Sequence, residues 1–242
     1  MSEEKIIKHT KKAVAVLEDK KISYKEKIKG FLEEIAVIIV AVSITLLFHN
    51  WNDERHENAI ARNFLTGLKS DLKASAEDLE GSITDFQPTI DYYNKVLQQI
   101  KSHKIDVPYV DTLSYNLRNT SYFVFDDSRF EGFKSSGYLR LIKNQQLLKE
   151  IVTMYAIELP FEKETDASFF RQRQLAFDQY IGTKAEVDGS DNFIVSPLLN
   201  DKAVRFQFFN YAQIFEERKR HRQRMIKKML ALSKDIDKDL QK

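Results

Sequence analysis

The sequence predicts an all-α protein: a single N-terminal transmembrane helix followed by an extracytoplasmic helical bundle with long helices. Three observations carry this. Residues 35–48 read IAVIIVAVSITLLF, fourteen positions without a charge. Only seven Gly and four Pro interrupt 242 residues rich in Lys, Glu, Leu and Gln, a composition that favours long helices. Beyond the apolar run, large apolar residues recur three or four positions apart, the spacing of one helix face. Strand-like alternation has one candidate, Tyr122–Phe125.

Fourteen residues is short for a bilayer span, which needs about 20. The uncharged stretch runs on to Asn52, however, and Phe31 and Leu32 lengthen the apolar surface at the other end, with Glu33 and Glu34 turned toward the headgroups. Phe31 to Trp51 is 21 residues, about 31 Å at 1.5 Å per residue. Ser43 and Thr45 can return their hydroxyl hydrogen bonds to helix carbonyls. Trp51 occupies the place of an interfacial aromatic, and Glu34, Trp51 and Arg55 are the expected membrane-interface residues.

Residues 1–30 hold nine Lys against five acids, whereas Asp53, Glu54, Arg55 and Glu57 follow the span. Lys and Arg near a span stay cytoplasmic, so the expected layout is a basic cytoplasmic tail (1–30), a transmembrane helix (31–51) and a periplasmic helical domain (52–242). A cleaved leader fits poorly, because its one small-x-small candidate, Ala41-Val42-Ser43, lies inside the apolar run. The absence of Cys excludes disulfides, thiolate metal sites and Cys nucleophiles.

In chain order, residues 3–21 carry a thin apolar face at Ile6, Thr10, Val14 and Leu17 and are expected as a short tail helix. The span helix is expected to continue outward through Ile60, Phe64, Leu68, Leu72 and Leu79 until Gly81 and Pro88 end it. A second helix then carries Ile90, Tyr93, Val96, Leu97 and Ile100. A turn at 103–108 and a short helix at 111–118 follow. Asp126, Asp127 or Ser128 caps the next helix, and Gly137 closes it in the left-handed conformation. Asn144 caps another, Pro160 marks a turn, and 161–181 is helical. Residues 182–200 form the longest loop. The last helix spans about 201–240, with Phe208, Tyr211, Phe215, Met225, Met229, Leu232, Ile236 and Leu240 inward.

Two segments carry a family likeness. EEIAVIIVAVSITLLFHNWNDER (33–55) resembles an uncharacterised family of bacterial single-pass inner-membrane proteins. Its members begin the apolar run with Gly-Glu-Ile and leave it through Asn-Trp-Asn-acid-Arg. Glu34 and Ile35 match the start; Asn50, Trp51, Asn52, Glu54 and Arg55 match the exit. Glu33 stands where the family has Gly. FKSSGYLRLIKN (133–144) is similar to the family's second signature, Lys-Ser-Ser-Gly followed by Leu, Ile and Asn. The resemblance runs from about residue 25 to the end. It implies a membrane-anchored helical domain and no catalytic motif.

Chemistry-bearing constellations are few. His49, Asp53 and His56 share a helix face, but the two imidazoles are roughly 10 Å apart on one helix, too far to share an ion, so no metal is expected. Lys134-Ser135-Ser136-Gly137 sets hydroxyls beside an amine, at a spacing that reads as a helix end. Asp126-Asp127 and Glu216-Glu217 read as caps and solvated faces. The strongest charge feature is RKRHRQRMIKK (218–228), seven Lys or Arg with no acid. A final helix returning antiparallel to the first would place it against lipid phosphates or an acidic partner, making Arg218, Arg220, Arg222, Arg224, Lys227 and Lys228 candidate contacts. Nucleic acid is not expected in that compartment. Aromatics at 122–138 and 161–215 read as core, or alternatively as the lining of a ligand pocket.

The resulting expectation is a non-enzymatic, membrane-anchored interaction or scaffold protein of the bacterial inner membrane. It would need no cofactor, with the lipid bilayer and a protein partner or a second copy as its associates. The alternative is a periplasmic small-molecule sensor acting through a partner.

Overall fold

The computed structural model describes Lys11, residues 24–120 and residues 122–241. The expected tail helix over 3–21 lies, Lys11 apart, outside them. Six α-helices are described: α1 (Tyr24–Ser102), α2 (Val107–Thr112), α3 (Ser128–Ser135), α4 (Gln145–Thr153), α5 (Leu159–Phe177) and α6 (Lys202–Leu240). A two-stranded antiparallel hairpin, β1 (Glu186–Val187) with β2 (Phe193–Ile194), pairs Glu186 with Ile194 and Val187 with Phe193. The chain divides into two compact units, Met1–Ala61 and Arg62–Lys242.

In the first unit, residues 35–48 of α1 carry no charge on any side, and their large apolar side chains are mostly uncovered. Ile39, Val40, Leu46, Leu47 and Phe48 are all more than half exposed, Leu47 reaching 67%. The Thr45 hydroxyl donates to the Ala41 carbonyl at 2.9 Å, so its polarity is satisfied within the helix. α1 is the one described helix long and apolar enough to cross a membrane.

The second unit is built on α1 from Arg62 onward and on α6, which runs antiparallel to it. Arg62 Nη2 donates to the Leu240 carbonyl (2.7 Å), Lys69 pairs with Asp237 (2.5 Å) and Lys219 donates to Gln87 (2.7 Å). α5 packs on both. Phe86, Tyr93, Phe169, Phe170, Phe208 and Phe215 form the centre of an apolar core, with edge-to-face rings such as Phe169–Phe215 at 5.2 Å. Toward the Arg62 end, Phe64 stacks on Phe133 of α3, centroids 3.7 Å apart, and Phe130 stacks on Tyr155.

The expected break at Gly81 and Pro88 does not occur; α1 continues through both. Proline in a helix interior costs about 3 kcal/mol. Two residues to either side, Phe86 and Ile90 are 1% and 0% exposed, and burying each is worth about 1.5–3 kcal/mol, so packing outweighs the penalty. Gly67 also stays helical; a Cβ there would collide with the Arg129 guanidinium, which reaches across to Asp71.

Pro160 is likewise no turn. α4, a π-helical turn at Met154–Glu158 and α5 follow one another directly. The Leu159 N–H bonds back to the Met154 carbonyl, so the helix widens just before the position where proline has no N–H to give. The 111–118 helix resolves into α2, capped by Asp106 through the Tyr109 N–H (3.1 Å), and a 3-10 turn at Ser114–Leu117. Tyr122–Phe125 forms no described strand. The strands lie instead in the 182–200 loop, where Asp188 Oδ1 accepts from the Ser190 and Asn192 N–H groups at 2.7 and 2.9 Å and turns the hairpin. Asp111 ties the hairpin's exit to α2, accepting from the Val195 and Ser196 N–H groups, both at 2.7 Å. Gly137 does close α3 region's end with φ +73°, and Asn144 caps α4 through the Leu147 N–H at 3.2 Å.

Replacing Pro88, whose side chain is exposed, by Ala restores the missing helix hydrogen bond, and stability is expected to rise by about 1–3 kcal/mol. Replacing Asn144 by Ala removes a cap and should cost about 1 kcal/mol. Urea midpoints of the full chain in detergent check both signs.

Candidate functional site

The basic segment 218–228 is the feature of highest charge density, and α6 distributes it by helical phase. Arg218 and Arg222 turn inward, against expectation, and are buried, Arg222 completely. They continue the apolar stripe of Phe208 and Phe215, each one or two helical turns further along. Lying one turn apart, they meet Glu162 and Asp166, one turn apart on α5. Arg218 Nη2 bonds Glu162 Oε1 and Asp166 Oδ1, and Arg222 Nη2 bonds Asp166 Oδ2. Arg222 Nη1 donates to Ser82 Oγ at 2.6 Å, and the guanidinium stands 4.4 Å over the Phe86 ring. The Phe123 N–H donates to Asp166 Oδ2 at 3.1 Å. His221, half-buried, places Nδ1 2.7 Å from Glu162 Oε2.

Two carboxylates and two guanidiniums balance, so the buried cluster is neutral without His221. It fastens α5 to α6 and to α1. Burial pushes the Arg222 guanidinium below its ordinary value, and Asp166 partly offsets this. A third buried arginine, Arg173, lies 5.1 Å over Phe215 and donates to the Asn119 carbonyl. Burial lowers its pKa too.

The remaining cations of the segment point elsewhere. Lys228 reaches Glu158 in the π-turn at 2.5 Å. Arg220, Arg224 and Lys227 are exposed. Along the second unit the segment lies beside Ser82–Gln87.

Of the interface residues, Trp51 is exposed with the Arg55 guanidinium 4.8 Å over its ring, and Glu34 is half-buried. His49 Nε2 stands 3.3 Å from Asp53 Oδ2, both exposed; among the described residues no three potential ligands gather round a point. Lys134 bonds Glu131 at 3.0 Å, and the Ser136 hydroxyl donates to the Gly132 carbonyl at 2.6 Å, so each has a partner within its own helix. The aromatic core encloses a cavity of about 10 Å³ between Tyr93, Arg173, Phe177 and Phe208, room for one water at most. Open grooves of about 380 and 300 Å³ lie at Ile105–Arg205 and Glu150–Lys228.

Comparison with protein-family models, curated proteins and solved structures found no match to any of the three.

Removing Asp166 as Asp166→Ala leaves two buried guanidiniums short of a partner and should cost about 3–5 kcal/mol. Arg220→Ala, on the exposed side of the same segment, should stay within about 0.5 kcal/mol; thermal denaturation separates the two. Burial also raises Tyr93 to about 12 and raises Tyr92 and Tyr155 further. A folded pKa above the unfolded value of about 10 means that this stability is complete below pH 10 and is lost as pH rises from about 10 through 12. Helicity followed against pH should fall across that window, with tyrosinate absorbance rising in step.

Proposed function

We propose that this chain is a non-enzymatic interaction or scaffold protein of the bacterial inner membrane. Residues 31–51 cross the bilayer once, residues 1–30 remain cytoplasmic, and residues 52–242 form a helical module in the periplasm that gathers a protein partner or a second copy. The carrying observation is the contrast within α1: its apolar stretch is uncovered around Leu46–Phe48, while beyond Arg62 it is the spine of a closed core. An apolar helix left uncovered finds its solvent in lipid. The lysine-rich 1–30 segment supports the orientation, and the likeness of 33–55 and 133–144 to the anchored bacterial family supports the compartment.

Affinity purification of the C-terminally tagged chain from membranes after mild cross-linking tests the reading, with Ile35–Phe48 replaced in the control. The expected result is an envelope protein or a second copy recovered only with the native span. A lone monomer would overturn it.

A further inference from the structure

Charge is segregated on the two spine helices of the second unit. Residues 74–94 of α1 hold five acids and no base, and residues 218–228 of α6 hold seven bases and no acid. The two stretches lie side by side: Arg222 reaches Ser82 at 2.6 Å, Lys219–Gln87 and Lys69–Asp237 agree with that register to within two residues, and Asn94–Glu216, at 3.4 Å, is offset from it by six. Counting outward from Ser82–Arg222, one residue up α1 for each residue down α6, Glu77 is level with Lys227, Glu80 with Arg224, and Lys95 with Phe209.

All six are exposed. At 100° per residue, Glu77, Glu80 and Lys95 fall within about 60° of one another on α1, and Phe209, Arg224 and Lys227 do the same on α6. Glu77, Glu80, Arg224 and Lys227 have no ion-pair partner among the described residues, and Phe209 leaves half of its surface to solvent.

We propose that this face pairs with a second copy of the chain about a two-fold axis parallel to α1 and α6. The inference rests on the anchored-interaction reading above and names its partner. Such an axis sets α1 of each copy against α6 of the other and leaves every residue at its own level. Glu77 then meets the partner's Lys227, Glu80 meets the partner's Arg224, and Lys95 stands over the ring of the partner's Phe209, each contact occurring twice. An anionic lipid surface or an acidic protein would satisfy Arg224 and Lys227 but bring like charge against Glu77 and Glu80. Only a surface carrying both signs at matched levels satisfies both stripes, and the chain itself presents one. The axis also keeps both α1 helices pointing the same way, as two copies anchored in one membrane require. Exposed ion pairs are individually weak, so the pairing depends on confinement in the bilayer and weakens with salt.

The chain has no cysteine, so engineered thiols report without background. Two differently tagged full-length copies, one E80C and the other R224C, are co-expressed and mildly oxidised in native membranes. A disulfide joining the two tags is expected, and it should fall about tenfold or more when E77K and K227E are placed together in one copy, so that each meets an unchanged residue of like charge on the other. In a second arm without cysteines, E77K/E80K alone and R224E/K227E alone should each be recovered as monomers after chemical cross-linking in native membranes. Mixing the two should restore a dimer through the one interface whose charges are again complementary. Circular dichroism verifies that the variants fold. Failure to form the mixed disulfide, or charge-reversed chains that remain dimeric, overturns the two-fold pairing. Neither result bears on whether the anchored chain retains a different envelope protein, which the purification described above reads separately.

Discussion

Glu162 and Asp166 stand one turn apart on α5, Arg218 and Arg222 one turn apart on α6, and all four are buried. Equal spacing on both helices makes the pairing a ladder, and a ladder has one register. If α6 slid or rotated by a single residue against α5, two guanidiniums would leave their carboxylates inside the core. An unpaired buried charge costs several kcal/mol, a large share of the 5–15 kcal/mol that holds an ordinary domain together. Apolar residues of similar volume would hold the helices as firmly and would tolerate the slip. The ladder therefore contributes alignment more than strength. Alignment is inherited by everything packed around it: Ser82 and Phe86 on α1 contact Arg222 directly, and the Phe123 N–H is fixed to Asp166.

The same core explains why α1 ignores its own helix breakers. Local propensity acts at one residue, whereas burial acts on every residue of a face. Phe86, Ile90, Tyr93 and Val96 lie on the stripe that passes Pro88, and each would lose its place if the helix stopped there. The proline ring itself is turned to solvent, where it displaces nothing. Pro160 is managed differently: the π-turn before it lengthens the hydrogen-bonding step, so Ile151, Met154, Tyr155 and Leu159 all stay buried across the joint.

Much of the helical content was legible in the sequence because apolar spacing is a property of faces. The final helix was placed within a residue of its observed start, and Asn144 and Gly137 revealed themselves by type and position. What escaped was whatever tertiary packing decided. Gly81, Pro88 and Pro160 read as punctuation because the compensating contacts come from other helices. The hairpin at 186–194 escaped because its two-residue strands are too short for alternation to register. The ladder had a visible signal that charge obscured: positions 208, 215, 222, 229 and 236 repeat every seven residues and are all buried, and Arg222 belongs to that series by spacing alone. Glu162 and Asp166 have the matching i, i+4 interval on α5. Reading 218–228 as one block of charge concealed the fact that its members point in different directions.

That difference in direction changes what the segment can do. Of seven Lys and Arg, two are committed inward to carboxylates, Lys219 is held by Gln87, and Lys228 is held by Glu158. Three remain on the outer face. Affinity for a polyanion grows with the number of phosphates neutralised, each contributing about −0.9 to the slope of log K against log salt on duplex DNA, and three cations beside an acidic stripe make a poor polyanion site. The count in the sequence overstates the available charge by more than half. What survives is a narrow band of positive potential with a band of opposite sign at the same height on the neighbouring helix. An arrangement of that kind discriminates by geometry, since it attracts a surface only when both bands find their complements together.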